Sequence, residues 1–210
     1  MCMTPSIAEP VVAPVADEPV ARILEATMTC LSRFGVAKTT IDDVAREAGC
    51  SRATVYRYFA NRDTLVTAAV DRELAALTDA VRAAGTAAPT LEDAIVAMFL
   101  TAASRITMHD AFQRALELEP EVVLPSLSFE GGDRLFAEAS ERFAPVFARF
   151  IPPDRAPRAA EWGSRVLLAY LHPDRAPHSM TDEASVRALV RRHVIPAMTP
   201  HPTSPIEVVP

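Results

Sequence analysis

The sequence predicts an all-α protein, in which a small three-helix unit at the N-terminus precedes a larger helical body. Three observations carry this prediction. Apolar residues recur at intervals of three and four along most of the chain, which is the period of amphipathic helices. Capping residues, glycines and prolines separate these apolar stretches. No stretch shows the alternation of apolar and polar residues that is typical of a half-buried strand.

The first helix follows a proline-containing segment, residues 1–18, which we interpret as a flexible tail. Glu18-Pro19 suits a helix start because proline is tolerated in the first turn. An apolar stripe with helical spacing follows and ends at Gly35, a residue type that commonly terminates helices. The stripe comprises Val20, Ile23, Leu24, Thr27, Leu31 and Phe34.

Two short helices joined by a tight turn are predicted next. Thr40 can cap the first of them, Gly49 can end it in a left-handed conformation, and Ser51 can cap the second. Their predicted inner faces comprise Ile41, Val44, Ala45, Ala48, Val55 and Phe59. The small residues among these allow a close approach, as in a helix-turn-helix, whose second helix enters the major groove of DNA.

The outward face of the second short helix favours DNA binding over a purely structural bundle. With Val55 inward, Ala53 and Arg57 point away from the core, and Thr54 and Tyr56 flank them. A merely solvated helix would favour Glu and Lys, whereas hydroxyl, aromatic and guanidinium groups suit contacts to bases and phosphates. The residues predicted to contact DNA are Thr40, Ser51, Arg52, Ala53, Thr54, Tyr56, Arg57, Tyr58 and Arg62.

The remainder of the chain is predicted to form six further helices. Asn61 caps the first of these, which runs to about Ala84, just before Gly85. The others run from Pro89 to about Met108, Asp110 to Leu118, Asp133 to Phe150, Pro157 to Leu171 and Asp182 to Ala197. We therefore expect a helix-turn-helix domain over residues 19–66, a helical domain over residues 67–199 and a loose tail over residues 200–210.

The charge distribution agrees with one basic end on an acidic body. The chain has 210 residues and a formal net charge of −6, which argues against non-specific coating of nucleic acid. Residues 20–70 contain seven basic and five acidic side chains, so this segment carries +2 and the rest −8. A basic module of this kind fits contact with a polyanion at one end of the molecule.

Several classes of protein are disfavoured by what the sequence lacks. The three cysteines, Cys2, Cys30 and Cys50, match no zinc spacing, so we expect reduced thiols and no metal site, although a redox role for Cys50 stays open. No catalytic motif is evident, so we expect neither an enzyme nor a cofactor. With no export signal and no long apolar run, we expect a cytoplasmic protein with no membrane contact.

The segment from about Val20 to Leu65 closely resembles the DNA-binding domain of the TetR family of bacterial regulators. The resemblance rests on Phe34-Gly35, Thr39-Thr40-Ile41, Val44-Ala45-Arg46-Glu47-Ala48-Gly49, Ser51, Thr54-Val55-Tyr56-Arg57-Tyr58-Phe59 and Leu65. It implies an all-helical homodimer with a divergent C-terminal ligand-binding domain, in which ligand binding releases DNA and so relieves repression. By position, Thr40, Ser51, Arg52, Ala53, Thr54, Tyr56, Tyr58 and Arg62 match places where family members contact DNA.

Three positions depart from the usual family pattern. Tyr58 stands where histidine is common and Arg62 where lysine is common, and both can still bind phosphate. Ala53 replaces a frequent glycine or proline, which leaves the base preference open. The segment Thr40 to Thr54 also looks like the reading head of LacI-type repressors, but too few residues follow it here for their large α/β domain, and those residues are helical.

The C-terminal domain is rich in Phe and Met, which leaves room for a cavity that takes a small apolar ligand. The residues predicted for this pocket are Met98, Arg105, His109, Phe112 and Trp162. Ordinary core packing is the alternative for the apolar residues of this set, and a surface or otherwise satisfied histidine is the alternative for His109. For the dimer interface, we predict a four-helix contact between the last two helices of each chain. Its predicted residues are Val166, Leu167, Tyr170, Val186, Leu189, Val190 and Val194, for which intramolecular packing is the alternative.

Together these observations predict a dimeric repressor that binds a double-stranded DNA operator and responds to a small apolar ligand. A second hypothesis is a small-molecule binding protein whose helix-turn-helix no longer binds DNA. The intact set of Arg52, Tyr56, Arg57 and Arg62 disfavours that hypothesis.

Overall fold

The computed structural model describes residues 18–121, 133–170 and 180–198, and every regular element in these ranges is helical. The predicted all-α class is confirmed. The elements are α1 (Glu18–Phe34), α2 (Ile41–Glu47), α3 (Arg52–Tyr58), α4 (Arg62–Ala87), α5 (Leu91–Thr107), α6 (Asp110–Leu118), α7 (Asp133–Phe147), α8 (Ala156–Tyr170), α9 (Glu183–Leu189), a π-helical turn (Val190–Val194) and α10 (Ile195–Met198). Residues 1–17, 122–132, 171–179 and 199–210 lie outside the described residues, and these include most of the two predicted tails.

The first core lies between α1, α2, α3 and the start of α4; we call residues 18–69 the head and the other described residues the body. Ile23, Val44, Val55 and Leu65 are buried at its centre. The predicted inner face of α2 is confirmed. The predicted burial of Phe34 is wrong, because this last residue of α1 lies beyond the packed turns and is 41% exposed.

Helix α4 belongs to both the head and the body. Leu65 and Ala69 near its start pack in the head, whereas Val81 near its end packs in the body. The predicted domain boundary at residue 66 therefore falls inside a continuous helix. The helix also continues past its predicted end to Ala87, and Gly85 is buried within it. A Cβ at Gly85 would lie 2.6 Å from the Met98 sulfur, so this glycine permits the close approach of α5.

The body is built from α4, α5 and α7–α10 around a larger core. The α7–α8 and α4–α5 pairs pack most extensively. A cluster of ion pairs also fixes α9 to the start of α5. Arg187 lies 2.7 Å from Glu92, 2.8 Å from Asp93 and 2.8 Å from Glu183, and Arg191 lies 2.8 Å from Glu92. Among the described residues, no helix has the length and apolarity needed to span a bilayer.

The predicted dimer-interface set must be corrected, because most of it forms the core of a single chain. Val186, Leu189, Val190 and Val194 are all 0% exposed, and Val166 is 8% exposed. Side chains without accessible surface in one chain cannot pack against a second chain. Leu167 and Tyr170 are half-buried against the same core.

Helix α6 connects the two regions in an unexpected way. Its bounds agree with the prediction, and His109 caps it by accepting a hydrogen bond from the Phe112 amide at 3.2 Å. Although it follows α5 directly, α6 packs more extensively against α1 of the head. The body therefore reaches the head through two helices, α4 and α6.

Candidate DNA-binding surface

The start of α2 is fixed by a reciprocal capping box. The Asp43 amide donates to the Thr40 hydroxyl oxygen at 3.2 Å, and the Thr40 amide donates to the Asp43 carboxylate at 3.3 Å. The hydrogen bond from the Thr40 hydroxyl is the main cause that lowers the pKa of Asp43, and a hydrogen bond from Arg46 adds to it. The box holds Thr40 at the start of α2, two residues before Asp42, whose carboxylate pairs with Arg52 of α3.

The position of α3 follows from one turn, one cap and one buried side chain. Gly49 has φ +62°, which lets the chain turn sharply after α2. Ser51 caps α3 by accepting a hydrogen bond from the Thr54 amide at 3.1 Å. Val55 is fully buried under the helix, and Phe59 and Tyr58 pack partly against the same core. These contacts fix which face of α3 is turned outward.

The outward face of α3 contains most of the residues predicted to contact DNA. Ser51, Arg52, Ala53, Tyr56 and Arg57 are exposed. Thr54 and Tyr58 are half-buried at its edges, and Thr40 is exposed at the start of α2. The structure thus brings eight of the nine predicted residues to one end of the head, on or beside a single helix face.

The cations of this surface have partners within the protein. Arg52 Nε lies 2.8 Å from an Asp42 carboxylate oxygen. The Arg57 guanidinium lies over the Tyr58 ring, 4.9 Å from its centroid, and Nη2 lies 3.3 Å from the Tyr58 hydroxyl. The pairing of Arg52 with Asp42 was not predicted, because side-chain contacts between separate helices leave no periodic signal in a sequence.

Arg62, the ninth predicted residue, has a different environment. Its Nε donates to the Thr39 carbonyl at 2.7 Å, and Nη1 lies 2.9 Å from Asp63. Its side chain is 32% exposed, and Nη2 is buried without a hydrogen-bond partner. Arg62 therefore braces the loop that leads into α2, in addition to any contact it makes with phosphate.

The body contains a small apolar cavity between α4, α5, α7 and α8. Its volume is about 20 Å³, close to the space for one water molecule. The described residues that line it are Val81, Ile95, Met98, Phe99, Phe143, Phe147, Ala160, Gly163, Ser164 and Leu167, and none of them is charged. The Ser164 hydroxyl already donates to the Ala160 carbonyl at 2.9 Å.

The structure does not bring the five predicted pocket residues together. Met98 lines the cavity. Arg105 is exposed, and Trp162 is 43% exposed on the outer side of α8. His109 caps α6, with Nε2 3.6 Å from Glu73, and Phe112 is half-buried on α6. Aromatic residues are buried on average, which is why Trp162 was expected in the pocket. Composition alone does not show where such a residue lies, and Trp162 lies on the outer side of α8.

The geometry thus defines a helix-turn-helix protein in which α3 belongs to the head and a separate helical body follows. Comparisons with known proteins agree with this class. Residues 23–69 match the model of bacterial regulatory proteins of the tetR family. The uncharacterized HTH-type transcriptional regulator Rv1255c of Mycobacterium tuberculosis is 32% identical over 185 residues, covering 85% of each chain. TtgR of Pseudomonas putida is 41% identical over 56 residues, 27% of each chain.

Solved structures show the same fold at low identity. The TetR family repressor AlkX from a Dietzia strain superposes with a TM-score of 0.64 at 19% identity, covering 87% of this chain and 98% of AlkX. SmeT, the repressor of a Stenotrophomonas maltophilia multidrug efflux pump, has a TM-score of 0.59 at 19% identity, covering 89% and 95%.

The chain belongs to the TetR family of bacterial transcriptional regulators. The predicted family is confirmed, and so is the role of a DNA-binding transcriptional regulator. Regulators of this family are not enzymes.

Proposed function

We propose that this protein is a homodimeric repressor that reads its operator with α3 and releases it when a small apolar ligand enters the body. The outward face of α3 is the observation that carries the proposal. We assign direct DNA contacts to eight residues on or beside that face: Thr40, Ser51, Arg52, Ala53, Thr54, Tyr56, Arg57 and Tyr58. We assign a further phosphate contact to Arg62, whose side chain is partly exposed.

The effector in this proposal is small, neutral and apolar. The cavity in the body is lined by aliphatic and aromatic side chains, and a charged ligand would lose its hydration there without gaining a partner. At about 20 Å³ the cavity must widen to admit a ligand, so binding moves the helices that line it. Because α4 contributes Val81 to the lining and Leu65 to the head, such a movement reaches the head directly.

Two solved structures with this fold hold small organic compounds. SmeT has been solved as a complex with triclosan, and this chain superposes on it with a TM-score of 0.58 at 18% identity. The multidrug binding protein EbrR has been solved with imidazole, at a TM-score of 0.55 and 23% identity. Of the two compounds only triclosan is apolar, so the SmeT complex is the one that supports an apolar effector here.

For the dimer, we propose the outer faces of α8 and α9 as the contact. Trp162 is exposed there, together with the small residues Ala169, Ala184 and Ala188. Exposed aromatic side chains such as tryptophan are enriched at surfaces that pack against a partner. In this arrangement residues 19–66 read DNA, residues 67–199 bind the ligand and the partner chain, and the protein acts in the cytoplasm.

The ligand part of the proposal is tested by DNA release. A duplex selected from a random library by the wild-type protein is mixed with 1-octanol, octanoate or octylamine, which share a chain length but differ in charge. We expect 1-octanol to release the DNA at the lowest concentration. Gly163→Ala, which adds one methyl group to the cavity, should bind DNA normally but need more octanol. Release by octanoate alone would contradict a neutral effector.

The dimer part is tested by sedimentation at micromolar protein concentration. We expect a dimer for the wild type and for Leu118→Glu, a control in which an equally exposed apolar residue on α6 is changed. Trp162→Glu should shift the protein to a monomer and weaken DNA binding. A dimer that survives Trp162→Glu would place the interface elsewhere.

A further inference from the structure

The strongest feature outside the DNA-reading face is a buried carboxylate between the body and the head. Glu119 follows α6 and is only 8% exposed. One of its carboxylate oxygens accepts the Val36 amide hydrogen bond at 2.8 Å, and the other accepts that of Ala37 at 2.8 Å. These amides lie in the loop between α1 and α2, 83 and 82 residues away along the chain.

The loop that Glu119 holds is the one that places the helix-turn-helix. Gly35 begins it with φ +80°, and a Cβ there would lie 3.0 Å from a Glu119 oxygen. Thr39 ends it, donating from its hydroxyl to the Gly35 carbonyl at 2.7 Å. Arg62 Nε donates to the Thr39 carbonyl at 2.7 Å. The loop is therefore held by α4 and by the end of α6, the two helices that join the head to the body.

A buried carboxylate is costly unless its oxygens accept hydrogen bonds from fixed donors. Two backbone amides on adjacent residues each donate to one of the two Glu119 oxygens. A neutral amide side chain has a single oxygen acceptor and cannot accept both hydrogen bonds in this arrangement. The bond pair is therefore sensitive to the position of α6, because a small shift of the carboxylate loses both amides together.

We propose that Glu119 is a positioning residue for DNA recognition: its carboxylate holds the α1–α2 loop so that α2 and α3 present their reading face. The proposal rests on α3 being the reading helix. In this account the body sets the orientation of the head through α6, and withdrawing the carboxylate frees the loop and weakens specific DNA binding. Glu119 touches no DNA and acts through the loop alone.

The test compares three variants on the duplex selected by the wild-type protein. Glu119→Gln keeps the shape but places an NH2 donor against a backbone N–H. Glu119→Asp keeps the charge but shortens the side chain by one methylene. Glu117→Gln is the matched control, since it removes the same charge from an exposed position on α6. We expect both Glu119 variants to lose about tenfold or more in affinity, equivalent to about 1.4 kcal/mol.

Electrostatics alone predicts the opposite change in DNA affinity for Glu119→Gln. Removing a negative charge near the head should leave DNA affinity unchanged or raise it, and Glu117→Gln measures that general effect. If Glu119→Gln and Glu119→Asp bind as tightly as Glu117→Gln, with unchanged helix content, the proposal is wrong. Failure of the wild type to select any duplex would instead contradict the assignment of α3 as the reading helix.

A measurement on the wild type keeps the proposal testable if a variant does not fold. The Val36 and Ala37 amides lie in a loop, yet we expect them to exchange with solvent deuterium as slowly as helical amides. Exchange as fast as at the exposed Lys38 would show that the carboxylate does not hold the loop in solution, and would overturn the proposal.

Discussion

The head and the body differ in what holds their helices. In the head, α2 and α3 have seven residues each, which is too short for a stable isolated helix. A capping box on α2, the Ser51 cap of α3, two glycines with positive φ and a few buried side chains hold them in place. In the body, four helices of 15 to 26 residues (α4, α5, α7 and α8) share a larger core. The seven-residue α9 and the turn after it contribute the fully buried Val186, Leu189, Val190 and Val194 to this core.

This difference suggests a division of labour. Local caps fix the backbone of the head, so its outward side chains are not needed to hold the fold and can contact DNA instead. Packing fixes the body instead, so a ligand that enters the cavity changes the arrangement of whole helices. Glu119 and α4 join the two regions, and the four predictions below separate changes that affect reading from changes that affect packing.

The largest effect is expected on the reading face. The double substitution Tyr56→Ala with Arg57→Ala should lower affinity for the selected duplex by about a hundredfold or more, since base contacts are worth about 1–3 kcal/mol each. Both side chains are exposed, so the melting temperature should hardly change. Arg105→Ala, at an exposed arginine of the body, is the control. Unchanged DNA affinity in the double variant would show that α3 is not the reading helix.

A packing change in the body should alter stability more than DNA affinity. Gly85→Ala should lower the free energy of unfolding by about 1–3 kcal/mol, because its Cβ would press on Met98 and Val146. Gly163→Ala meets neighbours only at 3.5 Å or more, and should raise stability by up to about 1 kcal/mol. Urea unfolding measures both. If the two variants behaved alike, the close approach of α4 and α5 would not matter for stability.

The ion cluster between α5 and α9 should give the body a pH-dependent stability. Hydrogen bonds from Arg191 and Arg187 lower the pKa of Glu92, and hydrogen bonds from Thr90 and Arg187 lower the pKa of Asp93. Carboxylates with lowered folded-state pKa values stabilise the protein above their ordinary range and lose this effect as pH falls through the lowered values.

The variant Arg187→Gln should therefore melt a few degrees below the wild type at neutral pH, and this difference should shrink below about pH 4. The exposed Arg192 provides a control, because Arg192→Gln should melt close to the wild type at both pH values. A difference of the same size at low pH would show that Arg187 acts by packing rather than by pairing.

The smallest effect is expected at Asp42, whose carboxylate binds Arg52 and repels phosphate. Asp42→Asn should raise affinity for unrelated DNA by about threefold, and selectivity for the chosen duplex should fall. Asp79→Asn, a similar charge change on α4 in the body, should leave both affinities unchanged. Weaker binding of Asp42→Asn to unrelated DNA would mean that Asp42 does not compete for Arg52.

The sequence predicted the head in more detail than the body, for a physical reason. Caps such as Thr40, Ser51 and Asn61 act within three residues, so their pattern is visible in the chain. Periodicity also predicted the body helices, and α6 closely. Periodicity shows that a residue is buried without showing against what, which is why Val186 and Val194 were assigned to a dimer interface and lie in the core.

Long-range polar contacts were beyond prediction. Glu119 pairs with amides more than 80 residues away, and its environment depends on how α6 packs against α1. The same holds for Arg62, whose predicted phosphate contact is accompanied by a hydrogen bond to Thr39. Such contacts arise only when separate helices are placed in three dimensions.

In a dimer, the two α3 helices should contact two half-sites of one operator. Selection from a random duplex library tests this most directly. The wild-type protein should enrich an inverted repeat whose half-sites are centred about one helical turn apart or a multiple of it. Enrichment of an unpaired site would contradict the dimer. A library that stays random after several rounds, with folded protein, would contradict sequence-specific reading by α3.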